Sequence, residues 1–106
     1  MNEDLTPEEF GRLKESGELW QLLDVREPWE VETASVPGSI CIPMAEVPGR
    51  RDELDENTPV AVMCHSGGRS ARVAAYLAAT GFSRVANIVG GIDEWSQQID
   101  STVPRY

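Results

Sequence analysis

The chain has 106 residues, 41% hydrophobic and 25% charged, the balance of an ordinary soluble globular protein with room for one core and not two. Its net charge of −9 and pI near 4.4 argue against nucleic acid or an anionic membrane surface as partner and favour basic or small ones. Met1-Asn2-Glu3-Asp4 is acidic and lacks the apolar stretch of a secretory signal, and no apolar run is long enough to span a bilayer, so a reducing cytoplasm with free thiols is expected.

Taken in order, Thr6-Pro7-Glu8-Glu9 carries a cap residue, a proline at the first helical position and a glutamate three after the cap. A helix is predicted from there to about Ser16, stopping at Gly17. Leu19 to Leu23 reads as a strand that delivers Asp24 and Arg26 at its end, and Pro28 to Thr33 as a short helix. Ser39 to Ile42 reads as a second buried strand closed by Pro43, in which Cys41 is a structural thiol. Met44 to Leu54 is mostly helical with an interruption at Pro48-Gly49 and a solvated end at Arg50-Arg51-Asp52-Glu53. Val60 to Met63 is a buried strand, followed by a loop, a helix over Ser70 to Thr80, a strand over Arg84 to Ile88 and a helix over Ile92 to Gln98. The tail from Asp100 to Tyr106 has no periodicity and is expected to pack as an extended strap through Val103 and Tyr106.

The chemistry concentrates in Cys64-His65-Ser66-Gly67-Gly68-Arg69-Ser70, a tight turn between a buried strand and a helix. Such a turn aims backbone N–H groups at one point with the positive end of the helix dipole behind them, so an anion is stabilised there and a thiol ionises more readily. Gly67 and Gly68 let the backbone curl, and Arg69 adds a planar donor fork suited to oxyanions. The bland alternatives are a buried cysteine at a strand end and an arginine that caps carbonyls. Ser70 serves primarily as helix cap and Ser66 as loop donor. His65, the one histidine, is next to Cys64 in the chain and cannot easily fold back onto that thiol, so it rims the pocket and tunes donor choice. One histidine and two distant cysteines do not make a zinc site. Asp24 and Arg26 are assigned a structural ion pair or a strap between loops, and Trp20, Trp29 and Trp95 packing roles, with Trp29 the most exposed.

The pattern Cys-x-x-Gly-x-Arg-Ser resembles the active-site loop of single-domain rhodanese-like sulfurtransferases. Two further stretches agree in the same order: Leu23-Asp24-Val25-Arg26-Glu27 with Val36-Pro37-Gly38-Ser39-Ile40-Cys41-Ile42-Pro43, and Gly90-Gly91-Ile92-Asp93-Glu94-Trp95. The chain departs from the pattern at Ser35, where the family often has histidine, and in a longer ending after the tryptophan. Alternating strands and helices give an α/β fold with a parallel sheet, and the resemblance implies the rhodanese-like form: four to five parallel strands flanked by helices on both faces, as one domain over residues 1–106. It also implies a short extra strand near Asp4-Leu5, and a persulfide carried on the cysteine.

The reading is a sulfurtransferase that moves a sulfane sulfur from thiosulfate or another persulfide donor to cyanide or a thiol. Cys64 is the nucleophile, and His65, Ser66, Gly67, Gly68, Arg69 and Ser70 bind the anionic donor, with no metal or organic cofactor required. One rival is a sulfur-relay or binding module that serves a protein partner, since the longer tail resembles rhodanese domains fused to sulfur-carrier activating enzymes. The other is a phosphatase or arsenate reductase of related fold. Against it, the loop has one residue fewer between cysteine and arginine than those relatives, and contains no carboxylic acid to protonate a leaving alkoxide.

Overall fold

A computed structural model describes residues 2–104. Five strands form one sheet: β1 (Asn2–Leu5), β2 (Gln21–Asp24), β3 (Ile40–Cys41), β4 (Val60–Met63) and β5 (Val85–Ile88). All pairings are parallel and the order is β1-β5-β4-β2-β3. The helices are α1 (Pro7–Glu15), α2 (Pro28–Thr33), α3 (Val47–Arg50), α4 (Gly68–Ala79) and α5 (Gly91–Gln98). The α/β architecture expected from the sequence is the one observed, a parallel sheet of five strands with helices on both faces.

The period-two alternation of β4 divides the core. Val60 and Val62 face one side with Val73, Ala74 and Leu77 of α4 and Val47 of α3. Ala61 and Met63 face the other, with Phe10 of α1, Ile92 and Trp95 of α5 and Trp20. Both faces are covered, so all four β4 residues are buried, as the apolar run required. Phe10 stacks edge-on against Trp20 at 5.6 Å between ring centres, while Trp29 is 62% exposed. Helix α1 starts as its sequence specifies: Thr6 accepts from the Glu9 N–H, and the Glu9 carboxylate accepts from the Thr6 N–H.

Five expectations need correction. Cys41 is exposed: β3 has only two residues at the sheet edge, and Cys41 points to the face opposite Ile40 and buried Ile42, where it lines an open cleft with Pro28, Val31 and Glu32 of α2. Helix α4 begins at Gly68, with Gly67 at φ +110° in the cap position, so Ser70 lies inside the first turn and is not the cap. Pro48-Gly49 sits within α3, and the breaks fall on either side, where the chain tightens into 3-10 turns at Met44–Glu46 and Arg51–Glu53. The first predicted strand starts at Gln21, leaving Leu19 outside it and exposed. The tail turns instead of extending: Asp100 accepts from the N–H and hydroxyl of Thr102, which swings Val103 into the core. Tyr106 lies outside the described residues. Strand β1 is present and pairs with β5 in the register Asn2↔Val85 to Leu5↔Ile88.

Asp24 and Arg26 form an ion pair with both side chains at 0% exposure. Arg26 gives Nε and Nη2 to the carboxylate at 2.7–3.1 Å, and Nη1 and Nη2 to the carbonyls of Glu30 and Ala34 at 3.2 and 2.6 Å. Those carbonyls close α2, so the pair both satisfies itself and ties α2 to the end of β2. Removing one partner would strand a buried charge, a cost of about 3–5 kcal/mol against a total stability of roughly 5–15 kcal/mol for a small domain. Asp24→Ala is therefore expected to lower the denaturant midpoint severely, by an amount set by about 3–5 kcal/mol; a loss under ~1 kcal/mol in urea titration would mean that Arg26 finds water instead.

Candidate active site

Parallel sheets present their ligand-binding edge at the carboxyl ends of the strands, and β4 delivers Cys64 there. The thiol is nearly enclosed, with Cys64 1% exposed. The chain reverses at Gly67, whose N–H donates to Cys64 Sγ at 3.1 Å, and enters α4. Ser70, fully buried one turn on, brings Oγ to 3.4 Å from Sγ. Burial pushes the Cys64 thiol up, but the Ser70 hydroxyl and the N–H groups of Ser70, Gly67 and Ser66 outweigh it, and the net shift is down. The turn therefore does to the thiol what its sequence predicted, through amides and one hydroxyl.

What holds the turn in this shape lies outside it. Amides at the start of α5 donate to its carbonyls: Ile92 N–H to Cys64 O at 2.9 Å and Asp93 N–H to His65 O at 3.2 Å. That contact is possible only because residue 91 is glycine. Its φ is +54°, and a Cβ there would come within 2.2 Å of Cys64 O and 2.6 Å of His65 O. The Gly90-Gly91-Ile92-Asp93 stretch was noted in the sequence only through the resemblance; here it is the clamp on the loop.

Of the expected site residues, Ser66 offers its amide, not its hydroxyl, toward sulfur, Gly67 forms the turn, and Gly68 opens the helix in the exposed rim. His65 is half-buried in the loop with its carbonyl held by Asp93. Two are placed differently. Ser70 touches sulfur directly instead of capping. Arg69 directs both terminal nitrogens of its fork to Glu30, Nη1 to Oε1 at 2.6 Å and Nη2 to Oε2 at 2.8 Å. Sequence reasoning missed Glu30, which lies 39 positions from Arg69, and Asn87, whose Oδ1 accepts the Ser70 hydroxyl at 2.5 Å. A lone asparagine in the apolar run Val85-Ala86-Asn87-Ile88 was the available signal, since a buried amide needs a partner.

Known proteins resemble this chain in sequence and in fold. A family model described as "Rhodanese-like domain" matches residues 6–98. The chain is 34% identical over 91 residues to the thiosulfate sulfurtransferase GlpE of Pseudomonas syringae, covering 86% of this chain and 84% of that protein. It is 40% identical over 93 residues to YrkF of Bacillus subtilis, whose name assigns it to sulfur carriage, covering 88% of this chain but only 50% of that longer protein. The crystal structure of a rhodanese-like domain protein from Staphylococcus aureus matches with a TM-score of 0.83 at 27% identity, covering 100% of this chain and 99% of that one.

The thiol geometry yields a pH test. Because the Cys64 thiol is held below its ordinary value, its thiolate persists to lower pH, and alkylation of the Cys64 peptide is expected to titrate below an unperturbed thiol. Ser70→Ala removes the foremost of the lowering contacts and is expected to move that midpoint upward. Exposed Cys41 alkylates too, so the two peptides are read separately by mass spectrometry. A Ser70→Ala profile superimposable on wild type would show that the hydroxyl contributes nothing.

Proposed function

Because the chain belongs to the rhodanese-like domain family, we propose that it moves a sulfane sulfur from thiosulfate or another persulfide donor to cyanide or a thiol acceptor, with Cys64 as the carrier. The observation that carries this reading is the convergence of the Gly67 N–H and the Ser70 Oγ on a buried cysteine sulfur at the carboxyl edge of a parallel sheet. The Cys64 thiolate attacks the outer sulfur of the donor. A bond forms between Sγ and that sulfur, the donor's S–S bond breaks, and its electron pair leaves with sulfite or a thiolate. The amides of Ser66, Gly67 and Ser70 that favoured the thiolate then face the negative persulfide. In the second half-reaction, cyanide or a thiolate takes the outer sulfur and regenerates the Cys64 thiolate. His65, Gly68 and Arg69 complete the loop that surrounds the donor. Nothing in these steps calls for a metal or organic cofactor.

A protein acceptor is the second form of the same chemistry. It is supported by the likeness to YrkF, of which this chain spans half, and by the net charge of −9, which suits a basic partner. Among the described residues no helix is long and apolar enough to cross a membrane.

Treating the purified protein with thiosulfate or a persulfide is expected to add one sulfur atom to the Cys64 peptide, removable by cyanide, with Cys64→Ser losing adduct and turnover together. Sulfur found on the Cys41 peptide alone would overturn the assignment. An aryl phosphate is expected to give negligible turnover in the same preparation; phosphatase activity that vanishes in Cys64→Ser, without any sulfur transfer, would favour the phosphoryl-transfer rival.

A further inference from the structure

If the loop is to hold thiosulfate, a doubly charged anion, its one arginine ought to present a net positive charge. It does not. Arg69 is joined to Glu30 through two parallel hydrogen bonds, 2.6 and 2.8 Å, in the bidentate geometry that is the strongest such pairing. The Glu30 side chain is 5% exposed and is fixed from several directions. Its Oε1 also accepts from the Glu27 N–H at 3.0 Å, and its backbone carbonyl is held by Arg26, itself locked to Asp24. Glu30 therefore has little freedom to swing away when a ligand arrives. The amides of Ser66, Gly67 and Ser70 converge on Cys64 Sγ, where they face the sulfur being transferred. Arg72, on the next turn of α4, lines a different cleft with Met44, Val47, Pro48 and Tyr76. The chain as a whole carries −9.

We infer that Glu30 is a specificity-determining residue: by neutralising Arg69 beside the Cys64 loop, it disfavours the thiosulfate dianion and leaves alkyl persulfides, which carry at most one charge on their sulfur, as the preferred donor class. This rests on the sulfur-transfer reading above and narrows it. The loading step is Cys64–S⁻ + R–S–SH giving Cys64–S–SH + R–S⁻. One S–S bond forms as another breaks, the proton stays on the transferred sulfur, and no outside oxidant or reductant is consumed. The same step with thiosulfate must bring two negative charges into an acidic protein at a loop whose cation is already paired.

Glu30→Gln tests this with little change of shape, since the amide oxygen still accepts from the Glu27 N–H while the negative charge is gone. Loading of Cys64 by thiosulfate and by cysteine persulfide is followed by intact mass and by release of the leaving group, in wild type and variant. Wild type is expected to prefer the persulfide by at least about tenfold in kcat/KM, corresponding to roughly 1.4 kcal/mol. In Glu30→Gln the thiosulfate value is expected to rise about tenfold while the persulfide value stays within about twofold. A residue that merely fastened α2 to the loop would lower both donors in parallel, and that outcome overturns the inference, as does an unchanged ratio or a wild-type preference for thiosulfate. Should Glu30→Gln fail to fold, the wild-type preference alone decides. If neither donor loads Cys64 in wild type, the sulfur-transfer reading itself has failed, a result distinct from two donors that load with a ratio insensitive to Glu30.

Discussion

The structure depends on a contact between α5 and the Cys64 loop. For N–H groups to point at one sulfur, the peptide planes between Cys64 and Gly67 must turn their carbonyls the other way, into the protein. Buried carbonyls without partners cost about 1–3 kcal/mol each, so a turn this tight needs an acceptor-side solution. The first amides of α5 supply it by taking the carbonyls of Cys64 and His65. A helix start has spare N–H groups in any case, and here they are satisfied by another loop instead of by a side-chain cap. The demand then propagates: Gly91 must lack a Cβ, α5 must sit close against the end of β4, and Trp95 and Val103 fill the space that this placement creates.

A second line of constraint runs through charge. Asp24 ends β2 and holds Arg26; Arg26 closes α2; α2 carries Glu30; and Glu30 reaches Arg69 at the start of α4. Four charged side chains, two of them wholly enclosed, thus connect neighbouring strands β2 and β4 across their carboxyl ends. Buried charges contribute little net stability unless well partnered, and these are. Their structural effect is to keep the short helix α2 and the loop in one relative position, so that a change in one donor set is felt in the other.

Most elements were legible in the sequence because their signals are local. The Thr6–Glu9 capping box, the four-residue apolar strands and the Ala-rich α4 each state their own conformation within a few positions. Strand β1 was legible only by resemblance, since Asn2-Glu3-Asp4-Leu5 has no apolar alternation and owes its form to pairing with β5, more than 80 positions on. The turn at Cys64 was legible for the same local reason, including the lowered thiol. The errors were of reach. Ser70 had the chemistry of a cap, but Gly67 at positive φ started the helix sooner. Cys41 had apolar neighbours on both sides, but alternation puts it on the face they do not share. Whether Arg69 meets a ligand or a carboxylate depends on Glu30, and nothing within a window of helical length mentions it.

The two-residue strand β3 has a consequence for how copies of this chain meet. It is an outer strand of the sheet, and an outer strand carries unpaired backbone groups that can recruit another chain. Here the exposed rail is brief. The chain enters from the Val36-Pro37-Gly38-Ser39 turn and leaves at Pro43, which has no N–H to offer. An approaching strand would find too short a ladder to zip onto. The acidic surface adds repulsion before contact is made. A sheet that must keep one end open for chemistry can thus leave this flank uncovered without inviting growth into a fibre.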